Sequence, residues 1–167
     1  MHTAPGQPTL DKRPANKKGR GMLLDEGLLI RRTIALGFRS VAEGGRPFAT
    51  LVARDGGVLA ESNAQTDPLL HSEAEAIGRA RTRLGVWELR GCEIYTLCQP
   101  CAACLGLCRD AKADRVVFLA LREECEPYYP EDEEPEEFTG WLPMLYVQEP
   151  DAVDVCRLWA ADHLKPQ

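Results

Sequence analysis

Residues 92–108 read CEIYTLCQPCAACLGLC, and two structural signals meet inside them. CEIYTL is a short apolar run of the length of a buried strand. Pro100 follows and opens a helix running through Ala111, because proline sits without penalty where a helix begins. A strand that passes so directly into a helix is the repeating step of an α/β fold. The same stretch holds Cys98, Cys101, Cys104 and Cys108 in the spacing C-x2-C-x2-C-x3-C. An iron–sulfur cluster run has that spacing, but it continues into proline where this chain has Arg109. Its fourth cysteine also serves a second cluster, and no second run exists here. Cys101 and Cys104 instead share one face of the first helical turn. There the helix dipole and free N–H groups favour thiolates.

Outward from this stretch the α/β pattern continues. RVVFLAL (115–121) is a strand apolar at its centre, as in a sheet covered on both faces. Upstream, RPFATLVARDGGVLAESN (46–63) reads as two strands around the turn Asp55-Gly56-Gly57. Asp67-Pro68 gives a helix cap and a first-turn proline, and the helix beyond it aligns Glu73, Ile77, Ala80 and Leu84 on one stripe. Leu23, Ile30, Ile34, Phe38 and Val41 recur at helical spacing. MLYVQE (144–149) is a late strand, and Val153–Leu164 a final helix.

Composition sets the class. A chain of 167 residues with 44% hydrophobic and 28% charged residues is one soluble domain with a real core. No apolar run approaches the roughly 20 residues of a membrane span. The start lacks the apolar core of a secretory signal, so a cytoplasmic location with reduced thiols is expected. Seven cysteines, an odd number, also argue against a closed disulfide framework. The net charge of −6 is unevenly spread. Residues 1–21, with Lys12, Arg13, Lys17, Lys18 and Arg20 against Asp11, read as a disordered, solvated basic tail before a domain at 22–167. Residues 123–137, EECEPYYPEDEEPEE, are a carboxylate block that repels phosphate backbones, which counts against nucleic acid as a partner.

The segment DPLLHSEAEAI (67–77) supplies what the cysteines lack. His71 and Glu73 are two residues apart, so on a helix they diverge by about 200° and meet only off its N-terminal end. Two helix starts aimed at one spot would deliver one imidazole and two thiolates. Three ligands of that type with an open fourth position make a catalytic zinc site. Glu73 lies on an apolar stripe, where an unpaired carboxylate is costly; beside metal-bound water it is a proton carrier. A purely structural zinc module would keep His71, Cys101 and Cys104 but has no use for Glu73.

H-x-E followed by P-C-x-x-C is the signature of zinc-dependent deaminases. From Leu24 to Leu121 the chain resembles the cytidine deaminase superfamily, in the branch of guanine deaminases and tRNA adenosine deaminases. GRPFATLVARDGGVLAESN (45–63), DPLLHSEAEAI and YTLCQPCAACLG (95–106) carry the likeness. The resemblance implies a three-layer α-β-α fold with a central mixed sheet of about five strands. It implies one zinc per chain on His71, Cys101 and Cys104, with Glu73 as catalytic proton shuttle and zinc-bound hydroxide as nucleophile. By the same resemblance Asn63 hydrogen-bonds the base, Phe48 helps form the pocket, and the protein is a homodimer. Ser72 and Gln99 replace the family's usual alanine and glutamate beside the metal, and Ser72 joins the expected substrate contacts. After RVVFLAL the family's base-reading aspartate is missing. Cys125 falls near its place, flanked by Glu124 and Glu126, which are the expected base contacts here. The implied activity is hydrolytic deamination of a free guanine-like base, an aminopurine or a related triazine, as in purine metabolism. Cytosine or a nucleoside is the alternative, and the acidic block disfavours tRNA.

Overall fold

A computed structural model describes residues 11–12, 26–63, 70–130 and 140–164. The elements follow in the order β1 (Asp11–Lys12), α1 (Glu26–Ala42), β2 (Ala49–Arg54), β3 (Gly57–Asn63), α2 (Ser72–Leu84) and β4 (Cys92–Cys98). Then come α3 (Ala102–Asp110), β5 (Arg115–Ala120), α4 (Arg122–Cys125), β6 (Met144–Tyr146) and α5 (Pro150–His163). One sheet holds all the strands in the order β1-β6-β5-β4-β2-β3. β2 is antiparallel to both β3 and β4, whereas β4, β5, β6 and β1 run parallel.

The strands alternate between two cores. In β2, Leu51 and Ala53 face one apolar cluster and Val52 the other; in β5, Val117 and Leu119 oppose Val116 in the same way. The first cluster takes Leu29, Ile30 and Ile34 of α1 with Val155 and Cys156 of α5. The second takes Ala76, Ile77 and Ala80 of α2 with Leu105 and Cys108 of α3. Helices therefore cover both faces, and the expected three-layer α-β-α arrangement with a mixed sheet is the observed one. A sheet buried on both sides explains why RVVFLA has no polar alternation.

Local chemistry sets the joints. Asp55 and Gly56 both take positive φ, 51° and 77°, which is the two-residue turn whose twist matches a hairpin. Gly37 lets α1 lie directly on β4: a Cβ there would collide with Leu97 Cδ1, with Val155 Cγ1 3.3 Å away on the α5 side.

Some expectations shift. α3 starts at Ala102 rather than Pro100, because Cys101 keeps an extended cap conformation (φ −69°, ψ 165°). The last helix starts at Pro150, which occupies its first position, three residues before the expected Val153. Within the span read as a disordered tail, Asp11–Lys12 pair with Leu145–Tyr146 as a short edge strand; the rest of that span, the Asp67-Pro68 cap and residues 131–137 of the acidic block lie outside the described residues. Among the described residues, no helix is long and apolar enough to cross a membrane.

Candidate active site

The site gathers at the carboxyl ends of β4 and β5, the usual ligand position in an open parallel sheet. β2 begins at this end and β3 finishes there, since Ala49 pairs with Asn63 and Thr50 with Thr96. His71 is the N-cap residue of α2 and Cys101 that of α3, and neither side chain is spent on a capping hydrogen bond. Their polar atoms are thus left to point off the helix ends. Upstream, the Arg46 guanidinium donates to the Leu70 carbonyl at 2.8 Å and fixes the backbone just before His71.

His71 Nδ1 lies 3.3 Å from Cys104 Sγ and 3.6 Å from Cys101 Sγ, and all three ligand atoms lie within 4.8 Å of one another. In a tetrahedral zinc site the nitrogen–sulfur edge is about 3.5 Å, from bonds of about 2.05 and 2.3 Å. The donor set therefore fits zinc in both chemistry and spacing. The Cys104 thiol donates to Cys101, which pulls Cys101 down and pushes Cys104 up.

Glu73 lies in the first turn of α2, two residues after His71, and is only 8% exposed. Burial pushes its carboxyl group up, and the Thr96 hydrogen bond offsets that in part. Thr96 Oγ1 is 3.0 Å from Glu73 Oε1, and Ser72 Oγ is 3.4 Å from Oε2. Behind them Thr50 Oγ1 lies 2.8 Å from Ser72 Oγ and 3.1 Å from Thr96 Oγ1. Thr96 has one proton and three acceptors in reach, Glu73 Oε1, the Thr50 hydroxyl and the Ala49 carbonyl at 3.3 Å. It can donate to a carboxylate, or turn to Ala49 and accept from a carboxylic acid. The buried hydroxyls thus suit both protonation states of Glu73. Sequence reading missed Thr50 and Thr96, which announce themselves only through their register across β2 and β4.

The remaining expected residues take varied places. Ser72 is 2% exposed, its hydroxyl set between Thr50 Oγ1 at 2.8 Å and Glu73 Oε2 at 3.4 Å. Asn63 ends β3 at the rim, its amide donating to Glu43 at 3.4 Å. Phe48, level with the end of β4, meets Tyr129 edge-on with ring centroids 4.8 Å apart. Tyr129 leans on Trp159, whose indole stacks on His163 at 4.4 Å. Glu124 Oε2 accepts the Leu121 N–H at 2.7 Å and the Tyr146 hydroxyl at 2.8 Å, so this carboxylate is bound into the start of α4. Glu126 is exposed on the turn that follows. Gln99 accepts the Arg122 N–H at 3.2 Å, joining the zinc-side loop to α4.

The cysteine run is divided three ways. Cys101 and Cys104 join His71. Cys108 is fully buried in the α2–α3 core, where burial pushes its thiol up. Cys98 turns to the opposite layer, beside Cys125 and Cys156. No iron–sulfur grouping of the four is formed.

A His-Cys-Cys group with a buried carboxylate beside it, at the strand ends of a three-layer fold, is the mark of a zinc-binding α/β domain. The particular family follows from comparison: the chain belongs to the cytidine and deoxycytidylate deaminase zinc-binding family, whose profile matches residues 28–120. A guanine deaminase of Bacillus subtilis (strain 168) is 36% identical over 96 residues, 54% of this chain and 62% of that protein. A tRNA-specific adenosine deaminase of Aquifex aeolicus (strain VF5) is 29% identical over 87 residues, 50% of this chain and 58% of that protein. The chain thus matches less than two thirds of the length of either relative. A guanine deaminase structure from Nitrosomonas europaea shares the fold, with a TM-score of 0.72 over 96% of this chain and 97% of that one at 20% identity.

Proposed function

We propose that this protein hydrolytically deaminates an aminated heterocyclic base, with a guanine-like purine as the preferred class. The observation that carries the reading is Glu73: a buried carboxylate, served by Thr96 and Ser72 hydroxyls, two residues after the His71 of a His-Cys-Cys group. A structural metal site has no need of it, and leaving an acid there without a task is costly. His71, Cys101 and Cys104 would hold the zinc, with one open position. When bound, zinc supplies Lewis acidity to a water in that position.

Glu73 then takes a proton from the attacking water and delivers protons to the ring nitrogen and the departing ammonia, acting first as base and then as acid. Thr96 holds the carboxylate in place through both charge states. Asn63 at the rim orients the ring by hydrogen bonding, and Phe48 offers it an apolar wall. Glu126 is the carboxylate after β5 that we assign to the ring N–H and amino groups of a purine. Support for a purine comes from the guanine deaminase relative. Cytosine or a nucleoside is the second reading, favoured by the family's description.

An ammonia-release screen over guanine, other aminopurines, cytosine, the matching nucleosides and tRNA tests the proposal. Release from guanine or a close aminopurine, lost in Glu73→Gln, is the expected result. Release from cytosine alone would move the substrate to the second reading. No release from any of them by a zinc-replete protein would leave a binding module instead.

A further inference from the structure

Three cysteines outside the zinc group meet in the opposite layer. Cys98 closes β4, Cys125 ends α4 and Cys156 lies within α5. Their positions are 27 and 58 residues from Cys98, so nothing in the local sequence joins them. All are buried, at 8%, 5% and 0% exposure, in the apolar cluster that also contains Ala120, Ala152 and Val155. Cys98 Sγ lies 3.1 Å from Cys125 Sγ and 4.0 Å from Cys156 Sγ, and the three sulfurs lie within 4.8 Å of one another.

We propose that Cys98, Cys125 and Cys156 form a second metal site, which takes a soft monovalent closed-shell ion such as cuprous copper in trigonal thiolate coordination. With metal–sulfur bonds of about 2.3 Å, the edge of such a triangle is about 4.0 Å. The Cys98–Cys156 edge already has that length, and the Cys98–Cys125 edge opens to it on loading. Zinc fits poorly, because a structural zinc site wants a fourth ligand and the group contains three. Thiolates select Cu(I) by softness. Each thiol gives its proton to solvent as it ligates, and no electron moves. A simple packing role explains buried small side chains but not three sulfurs from three elements converging on one point. A disulfide would use two of them and leave the third unexplained.

The bound ion would tie α4 and α5 to the end of β4, three residues before Cys101, without touching the zinc ligands. The inference does not depend on the substrate or on catalysis. To test it, zinc-loaded full-length protein, reduced and kept under argon, is titrated with Cu(I) against a competing Cu(I) chelator, and copper and zinc are counted after gel filtration. One copper retained per chain with zinc undisturbed is expected, and copper-edge absorption should show three sulfurs and no nitrogen. Cys156→Ala and, independently, Cys125→Ser should each weaken copper retention at least tenfold and keep the zinc, whereas Cys108→Ala should change neither. Failure of wild-type protein to retain copper would overturn the proposal. So would copper that displaces zinc one for one, a nitrogen in its shell, or undiminished retention in either variant. A Cys98–Cys125 disulfide mapped in protein purified without oxygen would also overturn it.

Discussion

Glu73 is costly to bury, and the molecule surrounds it with hydroxyls instead of a counter-cation. That choice keeps the group able to change charge. Glu73→Gln preserves its shape and can still accept from Thr96, but it cannot take a proton. Zinc content and melting temperature should hold while turnover falls by at least about 10²-fold, the scale of lost acid–base catalysis; near-normal turnover in a zinc-replete variant would remove Glu73 from the mechanism. Thr96 offers a finer test. Thr96→Val is isosteric yet strips Oε1 of its donor, so kcat should drop about tenfold, at the lower end of the roughly 1.5–3 kcal/mol of a hydrogen bond to a charged group. Thr96→Ser restores the hydroxyl and should recover most of that loss, which a pure packing effect would not do. For the metal, Cys101→Ser or Cys104→Ser should abolish zinc retention measured by elemental analysis, and Cys108→Ala should not.

At the scale of elements, two features matter: helix starts and one close contact. α2 and α3 each place a ligand at the cap, so the dipoles of both helices converge on the anionic sulfurs. The motifs HSE and PCAAC were readable, but the Asp67-Pro68 and Pro100 signals put the starts four and two residues early, since the helices begin at Ser72 and Ala102. The contact of α1 with β4 was not readable: Gly37 looks like a weak spot in a helix until Leu97 is seen lying against it. Gly37→Ala should therefore destabilise despite alanine's better helix propensity, by about 1–3 kcal/mol as for other overpacked cores. At roughly 2–4 °C per kcal/mol for a domain of this size, the loss is easily seen in a thermal melt. α4 also escaped the sequence reading, since four residues carry no periodicity. Its existence changes the role of Glu124. Glu124→Ala should lower the melting temperature by removing the acceptor of Leu121 and Tyr146, with the guanine-to-cytosine preference unchanged. Glu126→Ala is the variant in which that preference should move.

For the whole molecule, the hydrophobic pattern marked the strands and helices, and motif spacing together with the family resemblance pointed to the layers and the His-Cys-Cys group. What stayed hidden depends on long-range convergence: the Thr50–Thr96 register, the meeting of Cys98 with Cys125 and Cys156, and the packing of the α4 turn between hairpin and α5. None of these has a local signature, because each joins side chains from elements far apart in the chain. The last of them has an optical consequence. Trp87 and Trp141 are 72% and 73% exposed, so both should emit like indoles in water, whereas Trp159 is half-buried between Tyr129 and His163. Tyr129 also rests on Phe48, which makes the row of rings a lever from the proposed pocket wall to a single fluorophore. A base that seats against Phe48 should shift Tyr129 and alter the stacking, and with it the quantum yield, of Trp159. Fluorescence titration with an unreactive base analogue should give a saturable change in wild type and in Trp87→Phe and Trp141→Phe, and none in Trp159→Phe. The protein would then carry its own binding dye, fast enough for stopped-flow work on the step before chemistry.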